Sequence, residues 1–287
     1  MPAKNRRDLL VNLSMNKISD IVALALNEDI GTGDVSASLL DDKTLSAQII
    51  ARESAVICGI EYAQTAFLAL DDKIQIEWQL SDGDNIQKNQ VLCTLSGTSR
   101  AIISAERVAL NFLQTLSAVA TQTQYLVGKI AHTNAQLLDT RKTIPGLRLP
   151  QKQAVKCGGG VNHRMGLYDC IMLKENHIIA AGSIKNAVHL AIVQYPDLPL
   201  IVEVEDLTQL GETLGLVGIN RALCDNFSIA DLTQAVALAN NKLPLEASGN
   251  IDEKTIAAVA ETGVNYISIG AITKNIQAVD LSLRLLN

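Results

Sequence analysis

The chain has 287 residues, of which 48 % are apolar, 19 % charged and 3 % aromatic, and its formal net charge is −6. That length fits one large α/β domain or two domains sharing an interface, and the apolar share supports a core without disulfides or structural metal. Net acidity with so few aromatics excludes general nucleic-acid binding and stacking on bases, and no apolar run approaches the roughly 20 residues of a membrane-spanning helix.

The first twenty residues, MPAKNRRDLLVNLSMNKISD, carry basic side chains but no continuous apolar stretch with a small-residue cleavage site, so no secretion signal is expected. Five cysteines (Cys58, Cys93, Cys157, Cys170, Cys224) are odd in number and lack a C-x-x-C spacing, which fits packing roles in a reducing cytoplasm. Residues 17–28 repeat with helical period, and GTGDVSASLL (31–40) reads as loop and turn. From about 45 to 97 the pattern changes to short β-like runs, SAQIIARESAVICG, IQIEWQL and QVLCTLSG. SDGDNIQKNQ (81–90) supplies a hairpin connection between the last two, so a small mixed sheet domain is predicted. A long helical segment follows from 99 to about 130. Its polar stripe, Ser104, Arg107, Asn111 and Gln114, faces either solvent or an active site.

Short apolar runs then recur at 136–138, 170–173, 200–204, 222–224, 245–247 and 266–269, separated by helix-like segments. Strands alternating with helices predict a parallel sheet. Polar residues follow every run, as they do at the mouth of an α/β barrel; an open doubly wound sheet would concentrate them at one switch point. No G-x-G-x-x-G or Walker sequence is present, so a dinucleotide or P-loop site has no support.

The strand ends carry the candidate chemistry. From 139 to 174, Arg141, Lys142, Arg148, Lys152, Lys156, Arg164 and Lys174 stand against Asp139 and Asp169, a local excess of +5 that suits a small anion. Arg141 offers a planar fork for carboxylate or phosphate and Lys142 a point charge. His163 and Arg164 follow three glycines, and Lys174 ends an apolar strand, where it either holds an anion or, if desolvated, does Schiff-base chemistry. Glu203 and Asp225 end two successive strands and suit either ion pairs or Mg²⁺ shared with substrate oxygens. Glu205 shares a face with Glu203 if the strand stays extended. The small residues after the last two strands, Ser248, Gly249 and Asn250, then Gly270 and Ala271, allow backbone N–H groups to approach a phosphate.

These motifs carry a resemblance. AERVALNFLQTLSAVAT (105–121), DTRKTIPGLR (139–148), GGGVNHRMGLYDCIMLKENH (158–177), VEVEDL (202–207), CDNF (224–227), EASGNI (246–251) and YISIGAIT (266–273) resemble, in order, those of the quinolinate phosphoribosyltransferases. NEDIGTGDVS (27–36) resembles the N-terminal signature of that family. The resemblance implies an α/β fold: an incomplete, roughly seven-stranded barrel (116–275) with a smaller N-terminal α+β sandwich domain (1–115) and a C-terminal segment (276–287) packing back on it. It implies Mg²⁺-dependent transfer of phosphoribose from phosphoribosyl pyrophosphate to quinolinate, with decarboxylation to nicotinate mononucleotide, in a cytoplasmic homodimer with shared sites. By the same resemblance Arg141, His163, Arg164 and Lys174 bind quinolinate, with Arg107 entering from the other subunit. Lys142, Glu203, Asp225, Ser248, Gly249, Asn250, Gly270, Ala271 and Lys274 then bind phosphoribosyl pyrophosphate. Lys142, Lys174, Glu203 and Asp225 are catalytic, and Glu203 and Asp225 hold the metal directly or through water. Ile144 stands where the family commonly has threonine, and Lys274 where some members have histidine; neither change removes a required group.

Overall fold

A computed structural model describes residues 17–286, and the chain divides into two compact units. An N-terminal unit holds the described residues up to Thr121, Ile144–Cys157 and those from Ile276 onward; a barrel unit holds Gln122–Thr143 and Gly158–Asn275. The units therefore interleave along the chain, where the expected limits at 115 and 275 ran unbroken. Most of the twenty-residue N-terminal segment expected to carry no secretion signal lies outside the described residues.

In chain order the elements begin with α1 (Ile18–Ile30), β1 (Thr44–Ala51), β2 (Ala55–Val56), α2 (Ile60–Leu70), β3 (Gln75–Trp78), β4 (Asn85–Ile86), β5 (Val91–Thr98) and α3 (Ser99–Ile130). There follow β6 (Gln136–Leu138), α4 (Arg148–Cys157), β7 (Ile171–Leu173), α5 (Glu175–Ala181), α6 (Ile184–Gln194) and β8 (Leu200–Val204). The last are α7 (Leu207–Leu214), β9 (Arg221–Asp225), α8 (Ile229–Ala239), β10 (Leu245–Ser248), α9 (Ile256–Glu261), β11 (Tyr266–Ser268), α10 (Ala271–Lys274) and β12 (Leu281–Leu286). Among the described residues no helix is long and apolar enough to cross a membrane.

The N-terminal unit is built on an antiparallel sheet in the order β12-β1-β5-β3. Alternation sets its buried face: Ala47, Ile49 and Ala51 of β1 are buried while the residues between them are not. The predicted hairpin connection joins β3 to β5, which pair antiparallel, and the short β4 within it pairs with β2. Gly97 of β5 is a contact point, since a Cβ there would lie 2.6 Å from Cγ1 of Ile74. The helix α2 was not anticipated among the β-like runs; it buries Tyr62, Ala63, Ala66 and Phe67 along one face. On α3 the polar stripe is partly structural. Ser104 donates to Asp34 Oδ2 at 2.8 Å and Gln114 Nε2 to the Leu281 carbonyl at 3.4 Å, whereas Arg107 and Asn111 are exposed. Residues 276–286 belong to this unit, with β12 pairing with β1 from Ser46 to Ala51.

The barrel unit carries a parallel sheet in the order β6-β11-β10-β9-β8-β7. Six strands are present among the described residues, rather than about seven. Beyond β6, where a seventh would stand, Val161 makes only one isolated parallel bridge to Leu138. The Gly158–Gly160 turn and the polar Asn162–Arg164 that follow leave no run long enough to extend that bridge. Helices α5 to α9 connect the strands, and α6 to α9 bury apolar residues, for instance Ala187, Val188 and Ala191 of α6, so the barrel mouth is the side left to polar residues.

Candidate active site

Alternate residues of a strand share a face, and in the barrel unit one parity is polar toward its C-terminal end. Met172 and then Lys174 just past β7, Glu203 of β8, Leu223 and Asp225 of β9, Glu246 and Ser248 of β10 and Ser268 of β11 line one cavity of about 430 Å³. Thr140, Arg141, Lys142, His163 and Arg164 complete it from the loops after β6 and before β7. The registers make two layers: Glu203, Leu223 and Glu246 are cross-strand partners in one, and Asp225, Ser248 and Ser268 in the other.

The loops are fixed by short polar contacts. Thr140 Oγ1 accepts the Lys142 N–H at 3.0 Å, and the Lys142 carbonyl accepts the Thr273 hydroxyl at 2.9 Å, tying the arginine–lysine turn to α10. Gly270 permits that approach: a Cβ there would meet Cδ of Lys142 at 2.7 Å and Oγ1 of Thr140 at 3.2 Å. Asp139, fully buried, accepts the His163 N–H at 2.9 Å. The Arg164 N–H donates to His163 Nδ1 at 2.7 Å, which assigns the ring proton to Nε2. Arg164 Nη1 donates to the Cys170 carbonyl at 3.1 Å, and Asp169 accepts the Met165 and Gly166 N–H groups, closing the 165–170 loop.

Two ion-paired groups organise the acids. Lys174 Nζ is in ion contact with Glu203 Oε2. The lysine is 44 % exposed, so the desolvated amine of a Schiff-base enzyme is not present here. Glu246 is wholly buried; its Oε2 accepts from Arg221 Nη1 at 2.8 Å and lies 3.4 Å from His163 Nε2. Burial alone would raise its pKa, but His163, Arg221 and Ser268 outweigh burial and hold the carboxyl below its ordinary value. Arg221 in turn lies over the Tyr266 ring, 4.0 Å from its centroid. Asp225 is half-buried, and its Oδ2 accepts from Asn226 Nδ2 at 2.9 Å. Asp225 lines the cavity beside its register partner Ser248, and one carboxylate with substrate oxygens is an ordinary Mg²⁺ donor set. Glu203 could join such a set directly only by leaving Lys174, or otherwise through water.

Of the residues expected in the site, Arg141, Lys142, His163, Arg164, Lys174, Glu203, Asp225 and Ser248 line the cavity together. Gly249 and Asn250 follow Ser248 with left-handed backbone, φ +93° and +52°, and Asn250 Nδ2 donates to Asn226 Oδ1 at 3.0 Å. Gly270, Ala271 and Lys274 flank the Lys142 turn rather than line the cavity. Arg107 belongs to the N-terminal unit. Three cations of the basic stretch, Arg148, Lys152 and Lys156, are on α4 in that unit too, so the local charge excess overstated what the barrel mouth gathers. Glu205 does not share the face of Glu203: β8 ends at Val204, and the Glu205 N–H donates to Gln209 Oε1. Glu246, Arg221 and Ser268 were not anticipated. Their parity with Asp225 and Ser248 was the available signal.

The sequence profile described as "Quinolinate phosphoribosyl transferase, C-terminal domain" matches residues 119–284, and that of the corresponding N-terminal domain matches residues 29–117. A Nicotiana tabacum protein named quinolinate phosphoribosyltransferase [decarboxylating] 1b is 38 % identical over 290 residues, covering 93 % of this chain and 82 % of that one. A Bacillus subtilis protein named probable nicotinate-nucleotide pyrophosphorylase [carboxylating] is 39 % identical over 258 residues, 89 % of each. The structure of the nicotinate-nucleotide pyrophosphorylase from Francisella tularensis superimposes with a TM-score of 0.92 at 45 % identity, covering 96 % of this chain and 98 % of that one.

Proposed function

The chain belongs to the quinolinate phosphoribosyl transferase family, and from that premise we infer how its barrel cavity works. The protein transfers the phosphoribosyl group of phosphoribosyl pyrophosphate to quinolinate with decarboxylation, giving nicotinate mononucleotide, pyrophosphate and CO₂ in NAD biosynthesis. The observation that carries the reading is the convergence of Arg141, His163, Arg164 and Lys174 on one cavity with Glu203 and Asp225.

Quinolinate presents two adjacent carboxylates, and such a basic cluster matches a dicarboxylate, whereas a monoacid neutralises less of its positive charge. In this reading Lys174 exchanges Glu203 for a quinolinate carboxylate, and Glu203 becomes available to the ribose and its metal. Lys142, Asp225 and the Ser248–Gly249–Asn250 and Gly270–Ala271 turns, with Lys274, hold the phosphoribosyl pyrophosphate. Asp225, and Glu203 directly or through water, would hold Mg²⁺, which would neutralise charge on the departing pyrophosphate. The ribose C1–oxygen bond breaks with its electron pair leaving on pyrophosphate, and the ring nitrogen lone pair forms the new C1–N bond. The C2–carboxylate bond then breaks as CO₂, its electron pair stabilised beside the positive ring nitrogen until the carbon takes a proton. The protein's share is orientation and preorganised charge.

The active assembly in this reading is a homodimer, with Arg107 of one subunit completing the quinolinate pocket of the other. Support comes from its exposed position on α3 and from Leu167 and Tyr168, 74 % and 76 % exposed, in the loop that follows Arg164. Plant relatives are named as mitochondrial or chloroplastic proteins; for this chain an odd cysteine set without C-x-x-C supports a cytoplasmic setting. The deciding assay incubates the protein with quinolinate, phosphoribosyl pyrophosphate and Mg²⁺ and measures CO₂ and nicotinate mononucleotide. Both products should appear together and only with Mg²⁺. Comparable kcat/KM for nicotinate overturns the dicarboxylate assignment.

A further inference from the structure

We propose that Cys58, Asp82 and Cys157, all in the N-terminal unit, form a binding site for a thiophilic divalent cation of the zinc class. One donor atom from each lies within 4.8 Å of the other two. The sulfur atoms of Cys58 and Cys157 stand 3.5 Å apart. Two thiolates on one tetrahedral zinc, with bonds of about 2.3 Å, stand roughly 3.7–3.8 Å apart, whereas a disulfide brings them to about 2.05 Å. The observed spacing is thus a few tenths of an ångström from metal chelation and much farther from a covalent bridge.

The three ligands are far apart in sequence but held by a rigid frame. Cys58 is locked to α3 from both sides of its peptide: its N–H donates to Ser117 Oγ at 2.9 Å, and its carbonyl accepts the same hydroxyl at 3.3 Å. Gly59 beside it has φ +103°, and a Cβ there would come 3.0 Å from Cδ1 of Leu116, so the close approach of this turn to α3 depends on glycine. The loop bearing Asp82 is bonded to the residue before Cys58, through the Gly83 N–H to the Ile57 carbonyl at 2.8 Å and the Ile57 N–H to the Asp84 carbonyl at 3.0 Å. Asp82 Oδ1 accepts the Ile60 N–H at 3.1 Å, which leaves acceptor positions of the carboxylate for a cation. Cys157 is the last residue of α4 and is half-buried, giving the site an entry side.

A second, independent observation is the Tyr62 hydroxyl, which is buried without a hydrogen-bond partner. Burial pushes its pKa up to about 12, with Cys58, Glu61 and Asp82 adding to the effect, so the thiol and the carboxylate are within its electrostatic reach. An orphaned buried hydroxyl is costly in an interior, and a metal-bound water is a partner of the right kind. Two ionised thiols and a carboxylate would be like charges gathered within 4.8 Å of one another. A dication converts this mutual repulsion into attraction. Two sulfurs and one carboxylate select a borderline-soft ion such as Zn²⁺ over Mg²⁺ or Ca²⁺, which take oxygen ligands.

The test titrates the reduced full chain with Co²⁺, a spectroscopic stand-in for Zn²⁺, in excess Mg²⁺ so that oxygen-ligand sites are already filled. One equivalent of Co²⁺ should raise a thiolate-to-metal charge-transfer band in the near ultraviolet, and Zn²⁺ should abolish it. Cys157→Ser should lose the band, with affinity falling on the order of 100-fold. Asp82→Asn, which keeps an acceptor for Ile60, should keep a weaker, blunted band. Retained quinolinate turnover by Cys157→Ser with Mg²⁺ as the sole added metal certifies its fold. No thiolate band in the wild type overturns the proposal, and so does a band that survives in both Cys58→Ser and Cys157→Ser.

Discussion

Glu246 has no exposed surface and faces two partners, Arg221 and His163, across the interior of the barrel unit. Glu246→Gln leaves Arg221 opposite a neutral amide. Breaking a buried pair in this way should cost roughly 3–5 kcal/mol of stability at neutral pH, read by urea denaturation. Because the folded pKa of Glu246 is depressed, its contribution is fully present above the unfolded value near pH 4.3 and is lost as pH falls through the folded value. The gap between wild type and variant should therefore narrow below about pH 4; a gap independent of pH assigns the loss to packing. Arg141→Lys is a different kind of change, since lysine cannot reproduce a planar two-pronged contact. It should lower kcat/KM for quinolinate by about 10- to 150-fold, the equivalent of one charge-assisted hydrogen bond. Near-normal kinetics place Arg141 outside the pocket. Lys142, Lys174 and Asp225 were legible in the sequence because each follows an apolar run. Glu246 was not, since a charge inside a strand becomes meaningful only after the strand's parity is known.

Elements were legible wherever one periodicity ran long enough. The helix from 99 to 130 and the six parallel strands sit within a residue or two of expectation, because 3.6-residue and continuous apolar patterns there are unmixed. α2 was hidden by its neighbours: its Ile60–Leu70 run is short, rich in alanine and set between β-like stretches. The seventh strand failed for the opposite reason, since glycine and polar residues around Val161 leave nothing to propagate pairing. Glycine contacts make two further expectations at this scale. Gly97→Ala drives a methyl into Ile74 between β5 and the start of β3, and should destabilise the N-terminal unit by about 1–3 kcal/mol of overpacking. Gly270→Ala meets the stem of Lys142 instead. Its expected signature is a raised KM for phosphoribosyl pyrophosphate with little change in Tm. A Tm loss without a KM change makes Gly270 a packing residue only.

Across the whole molecule, the proposed shared pocket has a consequence that single variants lack. Arg107→Ala and Lys174→Ala should each be nearly inactive alone. Reassembled together, half the dimers are mixed and carry one intact pocket of two, so activity should return toward about a quarter of wild type. Mixed dimers that form and remain inactive exclude Arg107 from acting across the interface. The interleaved N-terminal unit also imposes an order on biogenesis. β1 is made early, but its partner on one side is β12, from residues 281–286. At about 5–20 residues per second the ribosome takes on the order of ten to fifty seconds to travel between them. During that interval the nascent sheet offers an unpaired strand edge, the kind of surface that templates wrong pairings. The barrel strands emerge inside that same window and need nothing from β12. Vectorial synthesis therefore favours a barrel that condenses first and an N-terminal sheet that closes last, when β12 covers the edge of β1.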